Sequence, residues 1–154
     1  SRGEFYFYEE GVTPAVVAAI EALDAERLAV GAAYGLELTP VAAGFHAAGF
    51  GPGGDLWAVI NGSRMLTALR APGQVNTRWL TEDVPYGLAT WASLGDQVDV
   101  DTPVMDALII LSSAALGIDF RAQARKSTDL AIAGLKPDVL RTFLELGTLS
   151  SADG

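Results

Sequence analysis

"TPAVVAAIEALDAERLAVGAAYG", residues 13 to 35, decides the fold class. Thr13 followed by Pro14 is a helix start, a hydroxyl N-cap with proline at the first helical position, where a missing N–H costs nothing. Alanine-rich sequence continues to Tyr34, and Gly35 supplies the stop. Apolar residues surround this helix almost completely, which predicts a central element rather than a surface one. At about 100° per residue, Asp24 and Arg27 fall on the side of Ile20 and Leu23. A charged pair spaced i, i+3 on an apolar face must pair internally or face a cleft. The preferred reading is a structural ion pair that locks this helix to its neighbours.

Outward from this helix the same signals recur. "DTP" at 101 to 103 is a second cap-then-proline start, opening "VMDALIILSSAALG" and closing at Gly117. "DLWAVINGSRMLTALR" (55 to 70) repeats Leu56, Ile60, Met65 and Leu69 near helical spacing and predicts one helix. A helix is expected from about Pro85 through "YGLATWASLG". Asp119 is expected to cap another through "FRAQARKSTDLAIAG", and Pro137 to open a last one in "KPDVLRTFLELG". Residues 36 to 55 and 71 to 84 read as loop and connecting sequence. Period-two alternation is confined to "EFYFYEE", a short strand or the tail of an earlier element. The expectation is all-α: a compact bundle of five or six helices, with residues 1 to 154 as one domain.

Composition narrows the functions. The 154 residues are 50% hydrophobic and 19% charged, with a formal net charge of -9. That balance is far from the disordered regime. It argues against nucleic acid and against an anionic membrane surface, both of which need a basic face. An anionic substrate would have to be held by a few placed arginines. The chain has no cysteine, so thiolate chemistry and Cys-based zinc sites are excluded. The N-terminus has no signal pattern, and the run from 104 to 117 is broken by Asp106 and too short for a bilayer. A soluble, cytoplasmic domain is expected.

Two motifs are set aside. "GFGPGG" (49 to 54) lacks the preceding strand that a dinucleotide fingerprint needs and carries Pro52 inside it, so it reads as a loop. His46 is the sole histidine and lies between Gly44 and Gly49; loop packing is the expected role, and no metal site is expected.

"TRWLTEDVPYG" (77 to 87) is harder. In one reading Thr81 or Asp83 caps the helix ahead of Pro85 and Arg78 makes a surface pair. In the other, Arg78 and Asp83 serve a site. Five positions apart, they lie about 140° apart on a helix and converge only if the segment bends. Pro85 is expected to keep Val84 extended and so permit that bend. An arginine fork beside an acid suits recognition of a carboxylate next to a titrating group.

"FYFYEEGVTPAVVAAIEALDAERLAVGAAYGLEL", then "TRWLTEDVPYGLATWASLG", then "DTPVMDALIILSSAALGIDF" followed by Arg125, resembles the octopine/nopaline (opine) dehydrogenase family. The similarity is to its C-terminal helical domain, of the 6-phosphogluconate dehydrogenase C-terminal-like kind, over about residues 4 to 134. The order R-[WY]-x-x-E-D-[VI]-P-x-G-L, with "LDAER" before it and "TP…DALI" after it, carries the resemblance. It implies an enzyme that condenses an amino acid with an α-keto acid and reduces the imine with NAD or NADP bound in an N-terminal Rossmann domain. It also implies that Arg78 is the substrate-binding arginine and Asp83 the catalytic aspartate, which orients a histidine. That histidine lies N-terminal to the matched region, and His46 does not take its place. This chain is therefore expected to be a piece of a longer protein that binds no cofactor by itself. Glu82 is expected to cap or pair, and Trp79 and Tyr86 to pack in the core rather than line the pocket. The alternative is a non-catalytic helical module for homodimerisation or partner binding.

Overall fold

The structure, a computed structural model, describes residues 4 to 147, and these are helical with no strand named among them. Six helices exceed a single turn: α1 (Pro14–Ala33), α2 (Val41–Ala47), α3 (Leu56–Asn61), α6 (Ala89–Gln97), α7 (Pro103–Leu116) and α9 (Pro137–Leu146). Three one-turn helices lie between them, α4 (Arg64–Thr67), α5 (Arg78–Thr81) and α8 (Phe120–Gln123). A π-helical turn, Val84–Leu88, leads directly into α6. No described helix is long and apolar enough to cross a membrane.

α1 starts as its sequence dictates: the Thr13 hydroxyl accepts the Val16 N–H at 3.3 Å, Pro14 is the first helical residue, and Gly35 turns away with φ +72°. It touches α3, α6 and α7, yet only part of its circumference is covered. Val17, Asp24, Val30 and Gly31 are buried, while Ala15, Ala18, Ala19, Ala22 and Ala25 face outward. An exposed alanine leaves little apolar surface in water, so near-complete apolarity here did not require complete burial.

Several boundaries differ from the sequence expectation, each for a local reason. The passage from 36 to 55 contains α2, whose first N–H, that of Val41, is donated to Asp24 on α1 at 2.8 Å. The single helix expected over 55 to 70 is two. Asp55 caps α3 through Ala58 N, the helix ends at Gly62, and the Ser63 hydroxyl restarts the chain by capping Leu66 N at 3.2 Å. Beyond Asp119, which caps α8 as expected, the helix stops at Gln123 because Ala124 is extended. Thr102 gives α7 no side-chain cap; Glu26 of α1 accepts Val104 N at 2.6 Å and Met105 N at 2.9 Å instead. "EFYFYEE" forms no ladder. Tyr6 makes one antiparallel bridge with Arg70, and turns follow it.

Three buried clusters hold these elements together. Val84, Ala89, Met105, Ile109 and Phe120 join the π-helical turn to α6, α7 and α8. Val17, Leu56, Ile60 and Leu66 join α1 to α3 and α4. Val30, Tyr34 and Leu140 join α1 to α9, with Trp91 packed against both this cluster and the first. Gly95 lets α6 sit against its surroundings: a Cβ there would meet the Val100 carbonyl oxygen at 2.8 Å. Gly51 of "GFGPGG" serves packing too, since a Cβ there would fall 2.0 Å from the Val59 carbonyl oxygen.

Candidate functional site

A cleft of about 810 Å³ opens between α1, α7 and the segment from Trp79 to Leu88. Its apolar walls come from Ile20, Leu23, Leu80, Val84, Met105 and Leu108, its aromatic edges from Trp79, Tyr86 and Trp91. Four ionisable side chains with a formal charge line it: Asp24, Arg27, Glu82 and Asp83.

Asp24 and Arg27 neutralise each other on one wall. Arg27 Nε donates to Asp24 Oδ1 at 2.8 Å and Nη2 lies 2.7 Å from the same oxygen. Nη2 also donates to the Thr39 carbonyl at 2.7 Å, while Asp24 Oδ2 takes the Val41 N–H. Both groups are thus committed to holding residues 39 to 41 against α1. A buried carboxylate with two partners and a guanidinium with two acceptors have little left for a ligand.

The opposite wall is set by the coil of residues 78 to 88. Asp83 has helical angles, φ -70° and ψ -28°, and Val84 already belongs to the π-helical turn. Val84 is therefore not the extended residue that Pro85 led one to expect. Proline tolerates the first turn of a helix, where its missing N–H has no partner to lose. The Ala89 N–H reaches back to Val84 O, five residues away, which makes this turn a π-turn. Such single turns inside α-helical runs recur at functional sites.

The coil has a direct consequence for Arg78 and Asp83. With no bend between them, they do not share a hollow. Arg78 instead meets Glu82 one turn on, donating from Nε at 2.7 Å and from Nη2 at 2.9 Å. Its side chain is 84% exposed, and it does not line the cleft. The fork, then the charge, of Glu82 raises the Arg78 pKa above its ordinary value, with a smaller push from the charge of Asp83. Glu82 in turn is drawn below the usual glutamate value, first by the Arg78 hydrogen bond. Asp83 lines the cleft and is exposed, and its carboxylate caps nothing and accepts no hydrogen bond among the described residues. Asp83 is thus an acid available to a partner.

Trp79 and Tyr86 are not core residues. They are 47% and 56% exposed and stand at the cleft's edge, Trp79 tilted at 56° against Phe7 with ring centroids 4.8 Å apart. An amphipathic aromatic at a mouth buries one face and leaves the other for a ligand. His46 lies on α2, its Nδ1 2.9 Å from the Gly51 carbonyl, away from the cleft lining. No group of three His, Cys, Asp or Glu is placed to hold a metal among the described residues. The sequence reading overlooked Glu26 as a cap, Met105 as cleft floor and Ser112 as its polar lining. Only Glu26 left a trace, as the unexplained acid in "DAER".

Comparison with known proteins gives a consistent answer. The family described as "NAD/NADP octopine/nopaline dehydrogenase, alpha-helical domain" matches residues 1–116. A curated protein named opine dehydrogenase, from Arthrobacter sp. (strain 1C), is 32% identical over 141 residues, covering 92% of this chain and 39% of that protein. A solved structure of octopine dehydrogenase with NADH and L-arginine superposes with a TM-score of 0.71 at 19% identity, over 89% of this chain and 41% of that one. The chain thus spans about two fifths of the length of these relatives.

Proposed function

Since this chain belongs to the octopine/nopaline dehydrogenase family, in its alpha-helical domain, we propose that it is the substrate-binding part of an NAD(P)-dependent opine dehydrogenase. The reaction joins an amino acid to an α-keto acid: the amine adds to the keto carbon, water leaves, and the imine is reduced to a secondary amine. The glycine run at 49 to 54 follows a helix and packs against α3, so it does not fit a dinucleotide's pyrophosphate, whose helix N-terminus must follow a strand. NAD or NADP is accordingly assigned to an N-terminal Rossmann domain of a longer protein, which supplies the reducing equivalent.

The observation that carries the proposal is the Asp83 carboxylate, which lines an apolar cleft with no hydrogen-bond donor of its own among the described residues. A carboxylate in that position can fix a histidine's tautomer and stabilise its protonated form, and that histidine comes from outside this chain. Arg78 binds a substrate carboxylate by exchange. An exposed i, i+4 ion pair is weak, and the incoming carboxylate offers the guanidinium the same two-oxygen geometry that Glu82 gives it. The apolar walls exclude water from the imine, which would otherwise hydrolyse.

The full-length protein tests this directly. It should oxidise NADH or NADPH only when an amino acid and an α-keto acid are both supplied. Equal oxidation with either substrate alone, or with neither, would overturn the assignment.

One observation favours a second, compatible role in self-association. Ala107, Ile110, Leu111 and Ala114 form an exposed apolar stripe on α7. Light scattering decides it, since a concentration-independent monomer would exclude a homodimer.

A further inference from the structure

We propose that Arg125 is a second carboxylate anchor at this site, so that the two arginines, Arg78 and Arg125, divide the two carboxylates of the condensed substrate between them. This rests on the reading above: joining an amino acid to an α-keto acid produces a molecule with a carboxylate from each. One arginine does not suffice for two anions in a chain whose net charge is -9.

The cleft's own arginine, Arg27, is committed to Asp24 and Thr39. Arg121, farther along, is paired with Asp106. Arg125 makes no ion pair among the described residues. Its guanidinium lies 5.6 Å from the ring centroid of Tyr86, the exposed aromatic at the cleft's edge. That cation–π contact consumes none of the guanidinium's five N–H donors, and none of them is hydrogen-bonded among the described residues, so they are free for a planar anion.

The position is also fixed in advance. The Arg125 N–H is donated to the Pro85 carbonyl at 3.4 Å, and the Thr90 hydroxyl is donated to the Arg125 carbonyl at 2.8 Å. Residue 124 is buried in the cluster beneath the π-helical turn. Arg125 is therefore tied to the turn that follows Asp83 and carries Tyr86, although it is distant from them in sequence. A side chain whose backbone is tied to the site loses less freedom on binding than one on a loose loop.

Binding to the full-length protein tests the inference, with pyruvate as the monocarboxylate and N-(1-carboxyethyl)alanine as the secondary-amine dicarboxylate. Calorimetry should show the dicarboxylate bound about tenfold or more tightly than pyruvate. Arg125→Gln should remove that advantage while leaving pyruvate affinity within twofold. Arg125→Lys, which keeps the charge but loses the fork, should fall between and carries the test if the glutamine variant does not fold. Unchanged dicarboxylate affinity in both variants would overturn the role of Arg125 and leave the proposed function standing. Failure of the wild-type full-length protein to bind either acid would overturn both.

Discussion

Arg78 is forked onto Glu82, Nε at 2.7 Å and Nη2 at 2.9 Å, while Asp83, the next residue, keeps its carboxylate free of hydrogen bonds among the described residues. Two adjacent acids thus have opposite circumstances. Both line the cleft, but one is taken up by the arginine and the other is left open to it. Helical geometry decides which is which, because Glu82 lies one turn from Arg78 and Asp83 lies about 140° round the axis from it.

Asp83→Asn should leave the fold intact, since no described contact depends on the charge, and thermal unfolding should be unchanged. In the full-length enzyme the same change should lower turnover by roughly a hundredfold or more, the scale of a disrupted acid–base group. Wild-type turnover in a correctly folded Asn variant would refute the catalytic role proposed for Asp83.

Glu82→Gln should release Arg78. In the full-length enzyme, KM for the α-keto acid should fall or hold while kcat changes little, whereas Arg78→Gln should raise KM. If both variants raise KM alike, the exchange between Glu82 and substrate is excluded.

The pair also sets a pH dependence with a definite sign. Glu82 has its pKa lowered in the folded state, so its contribution is present above the ordinary value of 4.5 and is lost as pH falls through the lower folded value. Carboxyl resonances followed by NMR should show Glu82 titrating below that ordinary value. The shift should vanish in Arg78→Gln.

Glu26→Ala should destabilise the chain by about 1 to 2 kcal/mol, because it strips the cap from the N-terminus of α7. Asp24→Ala should cost more, roughly 2 to 3 kcal/mol, leaving Arg27 without its acid and Val41 N–H without an acceptor. The loss stays below that for a fully buried pair because the Arg27 side chain is 28% exposed. Urea denaturation of the two variants gives the order, and a larger loss for Glu26→Ala would contradict it.

Gly95→Ala should cost about 1 to 3 kcal/mol by overpacking, since the added methyl meets backbone at 2.8 Å rather than a side chain that can move. Denaturation of this variant checks it; a stability equal to wild type would show that α6 can shift.

The helical class, the start and stop of α1, the cap at Asp119 and the Pro137 start of α9 were legible in the residues alone. Each depends on groups within four positions of one another, and such local chemistry is written in order along the chain. The R-W-x-x-E-D-V-P order, with "LDAER" before it and "TP…DALI" after it, likewise pointed to the family. The rest depended on partners distant in sequence. Glu26 caps a helix 78 residues away, Asp24 opens α2 from 17 residues away, and Arg125 is tied to Pro85 across the site. Nor could spacing reveal that residues 83 to 88 coil through a π-turn instead of bending, because one hydrogen-bond register differs from the next by a small energy that packing on α7 and α8 decides. Sequence determined which residues the site could use. Tertiary packing determined which of them face the cleft: Glu82 and Asp83 line it, while Arg78, paired with Glu82, does not.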